Sequence, residues 1–210
     1  MSIAVIDYGA GNLTSVIKGL RAAGAAAVVS SEPERVSAAD AIVVPGVGHF
    51  GSTAAIGAEL RAALLEAAQR GTPILGVCLG LQFLFEGSAE APGVPGLGLL
   101  SGECFLLPSG PEVKVPHVGW NALAIQRASA LLGDLAEGTH VYFTHSYGAP
   151  VTGATVATAH HGVPFAAVVE RGNVFGVQFH PEKSSEPGLR ILRSFVQISK
   201  FPHFHISTSC

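Results

Sequence analysis

Short apolar runs recur along the first half of the chain, separated by stretches with apolar positions at helical spacing. Ser2 to Asp7 (SIAVID) reads as a strand, Gly9 to Asn12 as a turn, and Leu13 to Ala23 as an amphipathic helix with Lys18 and Arg21 outward. Gly24 ends that helix, as glycine commonly does. Ala26 to Ser30 and Ala41 to Val44 are two further strands, the second running into Pro45-Gly46-Val47-Gly48. Glu59 to Arg70 is a helix stopped by Gly71, and Ile74, Leu75 and Val77 form a fourth strand after Pro73. Continuous apolar strands alternating with helices predict an α/β fold, a mostly parallel central sheet with helices on both faces. Ligands of such sheets bind beyond the strands' carboxyl ends. Asp7-Tyr8-Gly9, Pro45 to Gly48 and Cys78 all fall at such ends, so three loops are expected to meet around one pocket.

The second half is richer in β-structure. Leu99 to Leu107, Gly119 to Ile125, Val141 to Phe143, Ala154 to Thr158, Phe165 to Glu170 and Val174 to Gln178 read as strands added at short spacing. Gly172-Asn173 is a hairpin turn, so antiparallel pairing is expected there. Gly188 to Ser199 closes the chain as an amphipathic helix, and the tail Phe201 to Cys210 is expected to fray. The chain is read as one domain over residues 1–200 with a separate tail, 201–210.

Composition narrows the function classes. Hydrophobic residues make up 48% of the 210, and the formal net charge is −3. No basic run invites a nucleic acid. Gly138 to Val169 carries no Asp, Glu, Lys or Arg, but glycines, prolines and polar residues break it, so no membrane span is expected. The start MSIAVIDYG lacks a basic n-region, so no signal peptide is expected either. Cys78, Cys104 and Cys210 are odd in number and widely spaced, which fits a reducing, cytoplasmic setting and neither a disulfide framework nor a zinc site. His203 and His205 lack further ligands, and no metal or cofactor is expected. Gly9-Ala10-Gly11 opens like a dinucleotide fingerprint, but Thr14 stands where the third glycine belongs.

The chemistry gathers at Gly76-Val77-Cys78-Leu79-Gly80. G-x-C-x-G between a strand and a helix is the cysteine form of the nucleophile elbow. The helix N-terminus favours thiolate over thiol, and Leu79 N–H is placed to bind an oxyanion. On this stretch alone a buried structural cysteine explains the residue equally well. A thiol nucleophile needs a base, and the base an orienting group. His180 leaves the last strand directly and Glu182 follows two residues on, with Pro181 stiffening the link. Taken alone, His180 is also explained as a strand-end polar residue. His160 and His161 read as a solvated loop pair, and His117 and His145 as residues lining surfaces or pockets.

The set IDYGAGN (Ile6 to Asn12), PGVG (Pro45 to Gly48), GVCLGLQ (Gly76 to Gln82), PHVGWN (Pro116 to Asn121), THSY (Thr144 to Tyr147) and HPEKS (His180 to Ser184) resembles the class I glutamine amidotransferases. IDYGAGN and PHVGWN point more narrowly to the glutaminase subunits of imidazole glycerol phosphate synthases, in histidine biosynthesis. The resemblance implies the flavodoxin-like fold of that class and hydrolysis of glutamine to glutamate and ammonia by Cys78, His180 and Glu182. It implies an oxyanion hole from Leu79 and the Val47–Gly48 backbone, which two glycines make easy to flip. Gln82, Gly46, Ser146 and Tyr147 would recognise L-glutamine. It also implies a partner, a (β/α)₈-barrel cyclase subunit met at Asn12, Trp120 and Lys183, with the core reading of Trp120 the weaker of the two. Rival readings are the glutaminase of another synthase (pyridoxal phosphate, anthranilate or guanylate) and a non-catalytic regulatory subunit. IDYGAGN and PHVGWN count against the first, and the intact Cys78, His180 and Glu182 against the second.

Overall fold

A computed structural model describes residues 1–200; the tail Phe201 to Cys210, with His203, His205 and Cys210, lies outside the described residues. In chain order the elements begin β1 (Ser2–Ile6), α1 (Leu13–Ala22), β2 (Ala26–Ser30), α2 (Pro33–Ser37) and β3 (Ala41–Val44). There follow α3 (Ala58–Gln69), β4 (Ile74–Val77), α4 (Leu79–Leu84), β5 (Gly87–Ser88) and β6 (Glu103–Leu106). The second half holds β7 (His117–Ala122), β8 (Ala124–Ile125), β9 (His140–His145), β10 (Tyr147–Gly148), β11 (Thr155–His161), β12 (Val163–Arg171), β13 (Val174–Val177) and α5 (Ser185–Lys200). Two short 3₁₀ helices, Phe50–Ala55 and Pro181–Lys183, complete the set.

The main sheet has the order β2-β1-β3-β4-β13-β12-β11-β8. The pairs from β2 to β13 are parallel, and those from β13 outward are antiparallel. Alternate residues of β1 feed different cores, as strand geometry requires. Ile3 and Val5 pack in a cluster with Val16 and Leu20 of α1 and with Ile191, Leu192 and Phe195 of α5. Ala4 and Ile6 pack on the opposite face with Val36 of α2, Leu60 and Leu64 of α3, and Leu81 and Phe83 of α4. Both faces are therefore covered, and the strands can be apolar at every position. The carboxyl ends of β1, β3, β4 and β13 share one edge, where the functional loops lie.

Several expected boundaries shift. The strand expected over Leu99 to Leu107 shrinks to β6, because Gly98 and Gly102 take positive φ of 69° and 102° ahead of it. Gly119 to Ile125 divides at buried Leu123 into β7, which pairs with β9, and β8, which pairs with β11. His160 and His161 are strand residues of β11, paired with Pro164 and Val163, and not a loop, although His160 is exposed and His161 half-buried. The hairpin at Gly172-Asn173 joins β12 to β13, with Arg171 opposite Val174. Its Asn173 amide also donates to the Ala68 and Thr72 carbonyls at 2.9 and 2.7 Å, fastening the turn to the end of α3.

Candidate active site

Cys78 joins β4 to α4 with φ 53° and ψ −108°, a backbone that L-residues other than glycine rarely adopt. Neighbouring packing holds it there. Cys78 N–H donates to the Val177 carbonyl at 2.8 Å, and Cys78 C=O takes the Gln82 N–H at 3.1 Å. A Cβ on Gly76 would sit 2.6 Å from the Gly80 oxygen, and one on Gly80 only 1.8 Å from the Val44 oxygen. The two flanking glycines are thus required by close backbone approach.

His180 reaches the same edge from β13. Its N–H donates to the Tyr142 carbonyl at 2.9 Å, and its carbonyl accepts from Ser184 Oγ at 2.7 Å. The 3₁₀ turn Pro181–Lys183 folds Glu182 back, so that Oε1 lies 2.9 Å from His180 Nδ1 with both side chains buried. Nε2 makes no aligned hydrogen bond, yet Cys78 is near enough to act on the ring. Burial opposes the cation; Cys78 and Glu182 outweigh burial and raise the His180 pKa to about 9.

A cavity of about 250 Å³ opens beside the sulfur, lined by Val47, Gly48, Cys78, Leu79, Gln82 and Glu90. Thr144, Ser146 and Tyr147 also line it, with Pro116 and His145. That is below the ~300–1,000 Å³ of pockets for drug-sized ligands and suits a molecule the size of an amino acid. The turn Asp7-Tyr8-Gly9 does not line it, contrary to expectation. It stands behind the loop after β3, where Tyr8 Oη donates to the Pro45 carbonyl at 2.9 Å. Burial, with the Cys78 sulfur nearby, keeps that phenol protonated.

Gly46, expected to touch substrate, does not line the cavity. Its carbonyl accepts the Leu79 N–H at 3.4 Å, so the expected oxyanion donor is already bonded to the neighbouring loop. Freeing Leu79 N–H requires rotating the peptide after Gly46. The bond lost is long, and Gly48 already holds φ +102°.

Gln82 is buried under the cavity. Its Nε2 donates to the Tyr147 carbonyl at 2.7 Å and to Gln178 Oε1 at 3.1 Å. His145 Nδ1 also meets the Tyr147 carbonyl, at 2.9 Å, and His117 Nδ1 meets His145 Nε2 at 3.0 Å. A carbonyl only accepts, which fixes both tautomers: His145 donates through Nδ1, and His117 donates to His145 Nε2. Burial drives both imidazoles to the neutral form, His117 down to about 4 and His145 to about 3. The Ser146 carbonyl is occupied as well, by Leu107 N–H at 2.9 Å.

Asn12, Trp120 and Lys183 are exposed. Asn12 caps α1, accepting from Ser15 N–H at 3.2 Å. Trp120 is half exposed, which excludes it from the core, and its ring meets Tyr142 edge-on at 6.1 Å. Lys183 Nζ lies 5.9 Å from the same Tyr142 ring. Tyr142 thus links this surface to His180 through its carbonyl.

A family model described as glutamine amidotransferase class-I matches residues 4–198. The chain belongs to the class I glutamine amidotransferases. Within the family it is similar to the imidazole glycerol phosphate synthase subunit HisH of Methanothermobacter thermautotrophicus, 50% identical over 93% of this chain and 98% of that one. The HisH subunit of Moorella thermoacetica is 47% identical, covering 93% and 94%. Among solved structures, that of PurLQS from Thermotoga maritima overlays with a TM-score of 0.73 at 21% identity, over 93% of this chain and 97% of that one. The likeness to PurLQS shows the amidotransferase fold, the mostly parallel sheet with added antiparallel strands. Among the described residues no helix of this amidotransferase is long and apolar enough to cross a membrane, and no group of three or more His, Cys, Asp or Glu could hold a metal ion.

Sequence reasoning passed over Glu90, Tyr142 and Gln178. Glu90 puts a carboxylate in the amidotransferase cavity and accepts from Phe50 N–H at 2.7 Å. Nothing local marks it; a Ser-Ala-Glu loop is ordinary. Gln178 stands directly before Phe179-His180 and was readable as an invitation to look near the base.

Proposed function

We propose that this chain is the glutaminase subunit of an imidazole glycerol phosphate synthase, with Cys78 as nucleophile, His180 as proton carrier and Glu182 as its orienting carboxylate. The observation that carries the reading is the buried His180–Glu182 pair, 2.9 Å apart, with an imidazole whose pKa is raised by Cys78. The amidotransferase domain is taken as residues 1–200.

Cys78 gives its thiol proton to His180, and the sulfur attacks the side-chain amide carbon of glutamine, forming a C–S bond as the carbonyl π pair moves onto oxygen. The oxyanion takes Leu79 N–H, once the peptide after Gly46 has turned, together with an N–H from Val47 or Gly48. Each such donor lowers the barrier by about 3–4 kcal/mol. The tetrahedral adduct collapses, the C–N bond breaks, and His180 gives its proton to the departing nitrogen, releasing ammonia. Water then adds to the thioester, His180 takes the water's proton, the C–S bond breaks, and glutamate leaves.

The free hydrogen-bonding capacity supports a zwitterionic amino acid as ligand. Both Gln82 Nε2 protons are used, so Gln82 meets the substrate only through Oε1, an acceptor. With Glu90 it suits the α-ammonium. The Ser146 and Tyr147 carbonyls are taken, which leaves N–H groups to meet the α-carboxylate.

Ammonia is useful only where an acceptor waits, because at neutral pH free ammonia becomes ammonium. The partner is a (β/α)₈-barrel cyclase subunit in the same cytoplasmic compartment, met at Asn12, Trp120 and Lys183. There ammonia would yield imidazole glycerol phosphate and an aminoimidazole carboxamide ribonucleotide. The Leu79–Gly46 bond keeps the lone chain slow, and docking on the Trp120–Tyr142–Lys183 surface is the event placed to release it. The test is Cys78→Ala in the reconstituted pair. Glutamine hydrolysis should vanish while synthesis from added ammonium salts persists; an unchanged glutaminase rate would refute the nucleophile. A glutamine-analogue alkylator should label Cys78 and spare buried Cys104.

A further inference from the structure

We infer that Gln178 is a further residue of the glutaminase site: its side-chain amide donates to the Cys78 sulfur and accepts from Gln82, tying the nucleophile to the Gln82–Tyr147 wall of the cavity. The inference deepens the glutaminase reading and rests on it.

Gln178 is fully buried directly after β13, and its backbone N–H is held by the Ala167 carbonyl at 2.9 Å. Nε2 lies 3.7 Å from Cys78 Sγ, and Oε1 lies 3.1 Å from Gln82 Nε2. The orientation of this amide follows from an unambiguous group. The Tyr147 carbonyl can only accept, so the Gln82 end facing it, at 2.7 Å, is the NH₂. That NH₂ also faces Gln178, whose near end must therefore be the oxygen. Nε2 is left facing the sulfur. One chain of hydrogen bonds thus runs from Cys78 Sγ through Gln178 and Gln82 to the wall of the cavity.

An N–H aimed at sulfur strengthens as the thiol becomes thiolate. It also limits where the sulfur can swing, because the amide is itself pinned at both ends. His180, two residues on, serves the ring side of the same sulfur, and Phe179 between them is buried against Phe143. The short segment Gln178-Phe179-His180 thereby presents an uncharged donor and a proton carrier to one atom. In this account Gln82 and Gln178 are not interchangeable amides. Gln82 contacts Tyr147 at the wall of the cavity, and Gln178 contacts the reacting atom.

The test uses the full chain, with Cys78 alkylation by iodoacetamide followed by mass spectrometry from pH 5 to 10. Q178E keeps an acceptor for Gln82 but turns an oxygen toward sulfur; Q178M removes both bonds at similar volume. His180, Glu182, Tyr8, Glu90 and His145, the titratable groups around the sulfur and its cavity, are unchanged in both. Each variant should slow alkylation at pH 8 by several-fold, at most about tenfold, and move its pH midpoint up by about one unit, as for a lost hydrogen bond to a charged group. A wild-type rate in Q178E with a loss only in Q178M would mean that Gln178 serves Gln82 alone, which overturns the inference. Wild-type rates in both variants overturn it too. Should neither variant fold, the wild-type protein decides by NMR. The Gln178 side-chain amide protons should shift as Cys78 ionises and stay put in Cys78→Ala, and resonances that never respond sink the inference. Persistence of glutamine hydrolysis in Cys78→Ala would instead strike the glutaminase reading and leave the sulfur–amide contact standing.

Discussion

Gly80→Ala separates local preference from tertiary demand at the elbow. Gly80 lies inside α4, where alanine is the better helix former by about 1 kcal/mol. Helix propensity alone therefore forecasts a more stable protein. The packing forecasts the reverse. A Cβ at position 80 would lie 1.8 Å from the Val44 oxygen and 2.6 Å from the Val44 carbonyl carbon. Both atoms are backbone of β3, so no rotamer change relieves the overlap. Reaching even a tight contact of 3.0 Å requires α4 and β3 to separate by more than 1 Å. Cys78 is bonded to β13 on one side and starts α4 on the other, so the sulfur moves with the helix. Overpacking of this kind costs about 1–3 kcal/mol, and the rigid backbone contact puts Gly80→Ala at or above the upper end. A misplacement near 1 Å costs about a hundredfold in rate. Urea unfolding reads the first quantity, and glutaminase turnover in the reconstituted pair reads the second. Gly93→Ala is the control, because a Cβ there meets nothing within 4 Å. A Gly80→Ala protein with wild-type stability and turnover would show that close approach to Val44 does not hold the elbow.

Four further outcomes follow from the same geometry. His117 and His145 fall from 6.5 to about 4 and about 3 in the folded protein, so their contribution is complete above pH 6.5 and is lost as pH falls. Each should remove on the order of 2 kcal/mol by pH 5, and urea midpoints at pH 7 and pH 5 check this, with His117→Asn flattening the dependence. His180 works in the opposite sense: its pKa is raised from 6.5 to about 9, so its contribution holds below 6.5 and fades towards 9, and Glu182→Gln should shrink that alkaline loss. Asn173→Ala removes two hydrogen bonds at the β12–β13 turn and should cost about 1–2 kcal/mol of stability without changing the Cys78 alkylation rate. Trp120→Ala, at a half-exposed site, should leave the melting temperature within a few degrees but weaken binding of the barrel subunit by about tenfold or more, measured by calorimetry.

Much of the frame was legible in the residues alone. Strands β1 to β4 were readable because both faces of a covered parallel sheet must be apolar, which leaves unbroken runs such as Ala41 to Val44. The elbow was readable because the close backbone approach around a positive-φ cysteine leaves room only for glycine two residues before it and two after. His180 and Glu182 were readable because a two-residue spacing with proline between them is a local matter. The chain by itself determined these, since propensity, burial period and steric exclusion act over a few residues.

Contacts across long separations were decided by the fold. Gln178 meets a sulfur 100 residues earlier in the chain, and Tyr147 meets Gln82 across 65. The division of Gly119 to Ile125 between two sheets depended on which distant strands were available as partners. So did the neutral His117–His145 pair, since an imidazole's tautomer is fixed by the group opposite it, here the Tyr147 carbonyl. The bond between Leu79 and Gly46 follows the same rule. Sequence names the donors and acceptors, but which donor finds which acceptor depends on how β3, β4 and β13 pack side by side, because a hydrogen bond acts over about 3 Å of space and not over any count of residues.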